Sequence, residues 1–164
     1  MRVINEIIVH CSATKEGKDI TVHDIDSWHK QRGFRCIGYH YVIYRDGSIN
    51  TGRDVNISGA HCTNHNSKSI GICYVGGLDS SGKKAKDTRT NEQKKSLVKL
   101  VKQLMSMYNW GASNIHCHNE YANKACPSFS INDFRKELWF GVELSQFIFL
   151  YLNHKLTKSR FNDE

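Results

Sequence analysis

The chain contains one proline in 164 residues. That scarcity argues against a Pro-rich linker and a second module tethered by one. The N-terminus, Met1-Arg2-Val3-Ile4-Asn5-Glu6, lacks the apolar core of an export signal and runs straight into a strand-like segment. Cytoplasmic synthesis without classical export is therefore expected. The strongly apolar stretch Phe147 to Leu152 falls far short of the roughly 20 residues that span a bilayer, so no transmembrane segment is expected. Six cysteines stand at positions 11, 36, 62, 73, 117 and 126, with no CxxC pair among them. A zinc ribbon and a thioredoxin motif are thereby disfavoured, and without an export signal the six do not read as a disulfide framework. Internal repeats and low-complexity segments are also missing.

What is present is ordinary for a globular protein: 39% hydrophobic and 24% charged residues, in a length that suits one domain with a real core. The net charge of +7 favours anionic partners such as nucleic acid, acidic lipid or cell-wall polymer. The lysines are scattered and no nucleic-acid motif occurs, so no specific nucleic-acid partner is expected.

Along the chain, Ile4 to His10 alternates, and its β-branched centre Ile7-Ile8-Val9 predicts a buried strand ending at His10. Thr21-Val22-His23-Asp24 is a capping-box pattern. It opens a helix with Val22, Ile25, Trp28 and His29 at helical spacing, closed by Gly33. His23 and His29 are placed on or beside its wet face. Ile37 to Tyr44 reads as a strand, Arg45 to Ser48 as a turn and Ile49 to Gly52 as the returning strand. Gly59 to Ser67 is a polar loop, Ser69 to Gly76 a buried strand, and Gly77 to Arg89 a mobile surface loop. Thr90 to Gln93 caps the longest helix, whose buried stripe is Leu97, Val98, Val101, Leu104, Met105 and Tyr108. Ile115 to His118 is a short strand, and Ser130 caps a last helix with Phe134 and Leu138 inward.

The chemistry gathers between Asn114 and Phe129. His118 and Cys126 are eight residues apart with Lys124 between them, a spacing that needs a loop to bring imidazole and thiolate together. Both are preferred ligands of Zn²⁺. A third ligand must come from elsewhere, and His10 at its strand end is the best candidate. Three protein ligands plus water is the stoichiometry of a catalytic zinc site. Cys11, His116 and Cys117 compete as a fourth ligand. In extended segments the two cysteines point away from their ligand neighbours, and the spacing to Cys126 favours His118 over His116.

Six motifs then occur in order: Val9-His10-Cys11-Ser12-Ala13-Thr14, Gly38-Tyr39-His40-Tyr41, Arg45-Asp46-Gly47, Gly52-Arg53-Asp54, Asn66-Ser67 with Ser69-Ile70-Gly71-Ile72, and Lys124-Ala125-Cys126-Pro127-Ser128-Phe129. Together they resemble the zinc-dependent N-acetylmuramoyl-L-alanine amidases of the phage-lysozyme type, relatives of the peptidoglycan recognition proteins. The resemblance covers about residues 4–138. It implies an α/β fold, a single domain with a central mixed β-sheet flanked by helices and a zinc cleft on one side. It also implies zinc ligands His10, His118 and Cys126, a catalytic Tyr39 and Lys124, and a substrate groove lined by His61 and Asn66. The implied function is zinc-dependent cleavage of the amide between N-acetylmuramic acid and L-alanine in peptidoglycan, with release to the cell wall after cytoplasmic synthesis. The alternatives are a peptidoglycan-binding module without catalysis, which typically lacks the cysteine ligand, and a regulator that binds RNA polymerase, as some such amidases do. Residues 1–138 are expected to form the catalytic domain, and 139–164 a C-terminal extension whose apolar run docks on the chain or a partner.

Overall fold

The structure is a computed structural model that describes residues 2–139. The apolar run at 147–152 and the extension beyond Trp139 lie outside the described residues. The chain divides into two compact units, 1–131 and 132–164. In the second unit, residues up to 139 continue a helix that begins at 131. Its Phe134 and Leu138, four residues apart on one face, are both buried.

The first unit is built on a five-stranded mixed sheet. In chain order the strands are β1 (Glu6–Cys11), β3 (Tyr41–Ile43), β4 (Ile49–Thr51), β5 (Ser69–Tyr74) and β7 (Ile115–Cys117). Their order across the sheet is β4-β3-β5-β1-β7. All pairs are parallel except the β3–β4 hairpin. β1 and β5 are buried along their whole length, as strands covered on both faces should be.

Register sorts the side chains. Glu6 pairs with Ser69, Ile8 with Gly71 and His116, and His10 with Cys73, which in turn pairs with Val42. Paired residues share a face. One face therefore carries Glu6, Ile8, His10, Ser69, Gly71, Cys73 and Val42, and is unusually polar for a buried sheet. The opposite face is apolar, with Ile7, Val9, Ile70, Ile72, Ile43 and Ile115.

Helix α1 (Val22–Gln31) starts with Thr21 and Asp24 bonded reciprocally in a capping box. Its Ile25 packs with Ile20, Ile37, Val42 and Val75, and Trp28 lies against that cluster. Helix α2 (Asn91–Tyr108) starts at the same device, Thr90 with Gln93. Gln93 is fully buried because its amide also donates to the carbonyls of Ile43 and Val75 (3.1 and 2.9 Å). Leu97, Val101 and Leu104 are buried as expected. Leu100 joins them, while Val98, Met105 and Tyr108 are only partly covered.

Three expectations are corrected. The strand at 37–44 shortens to Tyr41–Ile43. Gly38 leaves the ladder because its N–H donates to His29 Nδ1 and its carbonyl accepts from Ala60. His29 is accordingly buried, not on the wet face. The segment 77–89 is tied down: β6 (Gly77–Leu78) pairs in parallel with β2 (Thr14–Lys15), and Leu78 bridges to Ala85. There the Asp79 carboxylate takes the Ser81 hydroxyl and the N–H groups of Lys83 and Lys84. Polar side chains thus order a segment that has almost no apolar residues to bury.

Candidate active site

His10 stands one residue before the end of β1 and is 1% exposed. β7 runs beside β1 and ends at Cys117, so the next residue, His118, is delivered next to His10, with ring centroids 4.5 Å apart. A 3-10 turn, His118–Glu120, then redirects the chain. The Glu120 carboxylate accepts from Cys117 N–H at 2.8 Å, and Ala122 N–H donates back to the His118 carbonyl. Cys126 returns to the same place in a turn closed by Ser128 N–H to the Ala125 carbonyl (2.6 Å). The Tyr74 hydroxyl holds that turn by donating to the Pro127 carbonyl, and the Ser128 hydroxyl by donating to the Gly77 carbonyl.

The outcome is one cluster. A ligand atom from each of His10, His118 and Cys126 lies within 4.8 Å of the others. His116 is elsewhere, 3.9 Å from Glu6 and 3.6 Å from Glu120. Cys117 is buried, and Cys11 turns toward Ser128, with its backbone N–H donating to Cys126 Sγ at 3.3 Å.

The electrostatics suit metal binding. Burial first, then His61, His118 and the Lys124 charge, hold His10 well below the usual imidazole range. Burial and then Lys124 lower His118 as well. Both imidazoles are therefore neutral at physiological pH, the form that offers a lone pair. The neighbouring Cys11 side chain and then burial push the Cys126 thiol up, against the opposing pull of the Cys11 N–H, so it carries a proton until a cation displaces it. Two imidazoles and one thiolate fit Zn²⁺ by ligand type and by number for a site with an open position.

Tyr39 is half-buried beside His10, with ring centroids 5.1 Å apart. Burial raises its phenol well above the ordinary value, so it is a protonated O–H at neutral pH. Lys124 is exposed, and its charge reaches both histidines. His61 is also in the cluster, its Nδ1 3.0 Å from His10 Nε2. Asn66 is not: its side-chain oxygen accepts the N–H groups of His61 and Cys62 (2.8 and 2.9 Å).

Two residues at the site were not anticipated, Ser69 and Gly71. The Ser69 hydroxyl lies 3.3 Å from His61 Nε2. The nearest approach of a Cβ on Gly71 to the His61 ring would be 2.5 Å. The available signal was small residues at alternate positions of a buried β-branched strand, which marks a face where another group packs closely.

Fold and site together define a class: a mixed-sheet α/β protein with a possible His/His/Cys metal site at the end of a central strand. The family model for N-acetylmuramoyl-L-alanine amidase matches residues 1–129. The chain belongs to that family and has its amidase activity. It is 42% identical over 138 residues to the endolysin of Escherichia phage T7, covering 84% of this chain and 87% of that one. It is 32% identical over 124 residues to peptidoglycan-recognition protein SC2 of Drosophila melanogaster, covering 74% and 64%. The structure of the N-acetylmuramoyl-L-alanine amidase LysC from Clostridium intestinale URNW superposes with a TM-score of 0.70 at 30% identity, covering 82% and 85%. Among the described residues no helix is long and apolar enough to cross a membrane.

Proposed function

We propose that the chain hydrolyses the amide joining the lactyl group of N-acetylmuramic acid to L-alanine, with zinc held by His10, His118 and Cys126. The convergence of two neutral imidazoles and a thiol within 4.8 Å carries this reading. Zinc bound there would lower the pKa of a water to about 7 and polarise the amide carbonyl. Tyr39, kept protonated, can donate a hydrogen bond to orient the reacting groups and assist proton transfer. Lys124 brings a positive charge on an exposed loop to where the carbonyl oxygen gains negative charge. Residues 1–138 act as the catalytic domain and 139–164 as an extension. The cell wall is the site of action, after release from the cell that makes the protein.

The competing reading is a wall-binding module that does not cut. The presence of Cys126 favours catalysis, since relatives that only bind typically lack that ligand. No observation on the described residues favours an RNA polymerase partner. The test is digestion of purified peptidoglycan with and without a chelator, followed by added zinc. New L-alanine amino termini without new reducing sugar ends are expected, lost with the chelator and restored by zinc. Zinc-loaded protein that binds the wall and releases none would leave the binding module as the function.

A further inference from the structure

One line of hydrogen bonds runs behind the metal cluster, and its direction can be worked out. The Ser69 Oγ lies 2.7 Å from the His65 carbonyl. A carbonyl cannot donate, so the hydroxyl proton is in that bond. Ser69 Oγ can then only accept from His61 Nε2, 3.3 Å away. That places the His61 proton on Nε2 and leaves Nδ1 as an acceptor. Facing Nδ1 at 3.0 Å is His10 Nε2, which must carry the His10 proton. The remaining nitrogen, His10 Nδ1, is bare, and it is the one 3.8 Å from Cys126 Sγ.

The ring at the centre of this line sits in a slot. Gly71 of β5 and Gly59 both lie against the ring. A Cβ at either position would come within 2.5 Å of His61 Cδ2. The main chain at His61 is held by Asn66 Oδ1. The next turn is clamped by the Arg2 guanidinium, which donates to the carbonyls of Asn66, Ser67 and Ser69 (3.1, 3.1 and 2.9 Å). Both ring nitrogens are engaged within the protein. A hydrogen bond from either to a substrate would have to replace one of these contacts.

We propose that His61 is a positioning residue of the metal site and not a wall of the substrate groove. It holds the His10 ring in the Nε2-protonated tautomer and presents Nδ1 to the metal, with Ser69 setting the His61 tautomer in turn. Metal-bound histidines generally rely on such a partner on the far nitrogen, and losing it costs roughly 10–100-fold in metal affinity or activity. The inference rests on the zinc reading above.

The experiment measures zinc affinity of the full chain by competition with a chromophoric chelator, at one pH and without substrate. His61→Ala and Gly71→Ala should each weaken zinc about 10–100-fold. The first deletes the acceptor, and the second pushes the ring off its partner. His61→Gln, whose amide oxygen can accept from His10 Nε2–H, should recover most of the loss. Zinc-loaded His61→Ala should keep the wild-type KM for a soluble muropeptide.

Unchanged zinc affinity in His61→Ala, or a raised KM with normal zinc binding, would overturn the proposal and return His61 to the groove. A loss that glutamine does not recover would assign the effect to packing and overturn it too. Thermal melts of the zinc-free variants check folding, and the two His61 variants decide if Gly71→Ala does not fold. Wild-type protein that binds no zinc would instead bring down the functional reading on which this one stands.

Discussion

Strand β1 ends in two polar clusters that both contain histidines and a tyrosine, and they have opposite characters. At its C-terminal end His10 meets His61, His118, Tyr39 and Cys126. At its N-terminal end Glu6 meets His65, His116 and Tyr121. Both central residues lie on the same sheet face and both are buried, 1% and 6% exposed. The Glu6 cluster is closed by a carboxylate. Its Oε1 lies 2.8 Å from His65 Nδ1, its Oε2 accepts the Tyr121 hydroxyl at 2.9 Å, and Lys68 is 3.7 Å away. At the His10 end no carboxylate among the described residues absorbs the donors. Lone pairs from two imidazoles and a thiol converge instead, and convergent lone pairs call for a cation. Histidines and a tyrosine stand at both ends; the carboxylate at one end and the converging lone pairs at the other separate them. The closed end also serves the open one, because Tyr121 anchors to β1 the segment that follows His118.

The largest effect should come from removing a converging donor. Cys126→Ser should weaken zinc by more than the roughly 100-fold typical of an outer contact, and peptidoglycan cleavage should fall with it. Because the Cys126 thiol is pushed up, metal entry releases its proton, so wild-type zinc affinity should rise with pH. Chelator competition at several pH values measures both, and a pH-independent affinity would contradict a thiolate ligand.

Next come the residues beside the cluster that hold no metal. Tyr39→Phe should slow amide cleavage by about 10²–10⁴, and Lys124→Ala by about 10²–10³. Both should bind zinc as the wild type does. A parallel loss of zinc in either would make it part of the metal site.

At the closed end, Glu6→Gln should appear as stability. Leaving a buried donor without its charged acceptor costs about 1–3 kcal/mol, readable as a shifted denaturant midpoint, with zinc binding retained. If zinc affinity drops as far as in Cys126→Ser, the two clusters are one functional unit and the contrast between them fails.

The smallest effect is a slope with pH. His40 is buried neutral, its Nδ1 accepting the Gly71 N–H, and burial lowers it to about 4. An unfolded imidazole titrates near pH 6.5. The unfolded chain therefore takes the proton first: this stability is complete above about pH 6.5 and is lost as pH falls toward about 4. The lowered His10 and His61 act in the same direction in metal-free protein. Urea midpoints across that range should decline toward acid, and a flat profile would count against neutral histidines on this face.

Much of the molecule was legible from local pattern. Both capping boxes appear where Thr21 and Thr90 predicted them, because a cap depends on residues three apart. The buried β1 was visible in its β-branched centre. His10, His118 and Cys126 could be nominated from residue type, loop spacing and the order of the family's motifs, and the fold brings the three together. Other features could not be read this way. That Gly38 leaves the sheet for His29, that 77–89 pairs with β2, and that Ser69 and Gly71 form the bed of the His61 ring all depend on contacts between distant segments. The sequence by itself determined where the two capped helices and the buried strand β1 lie and which side chains are candidates for the chemistry, since period, capping and ligand type act over a few residues. Only the tertiary structure decided which nitrogen of His10 faces Cys126 and which faces His61, and that His65 and His116 sit beside a carboxylate instead. Those placements follow from parallel register across β5, β1 and β7, and register sets distances between residues that lie tens of positions apart in the chain.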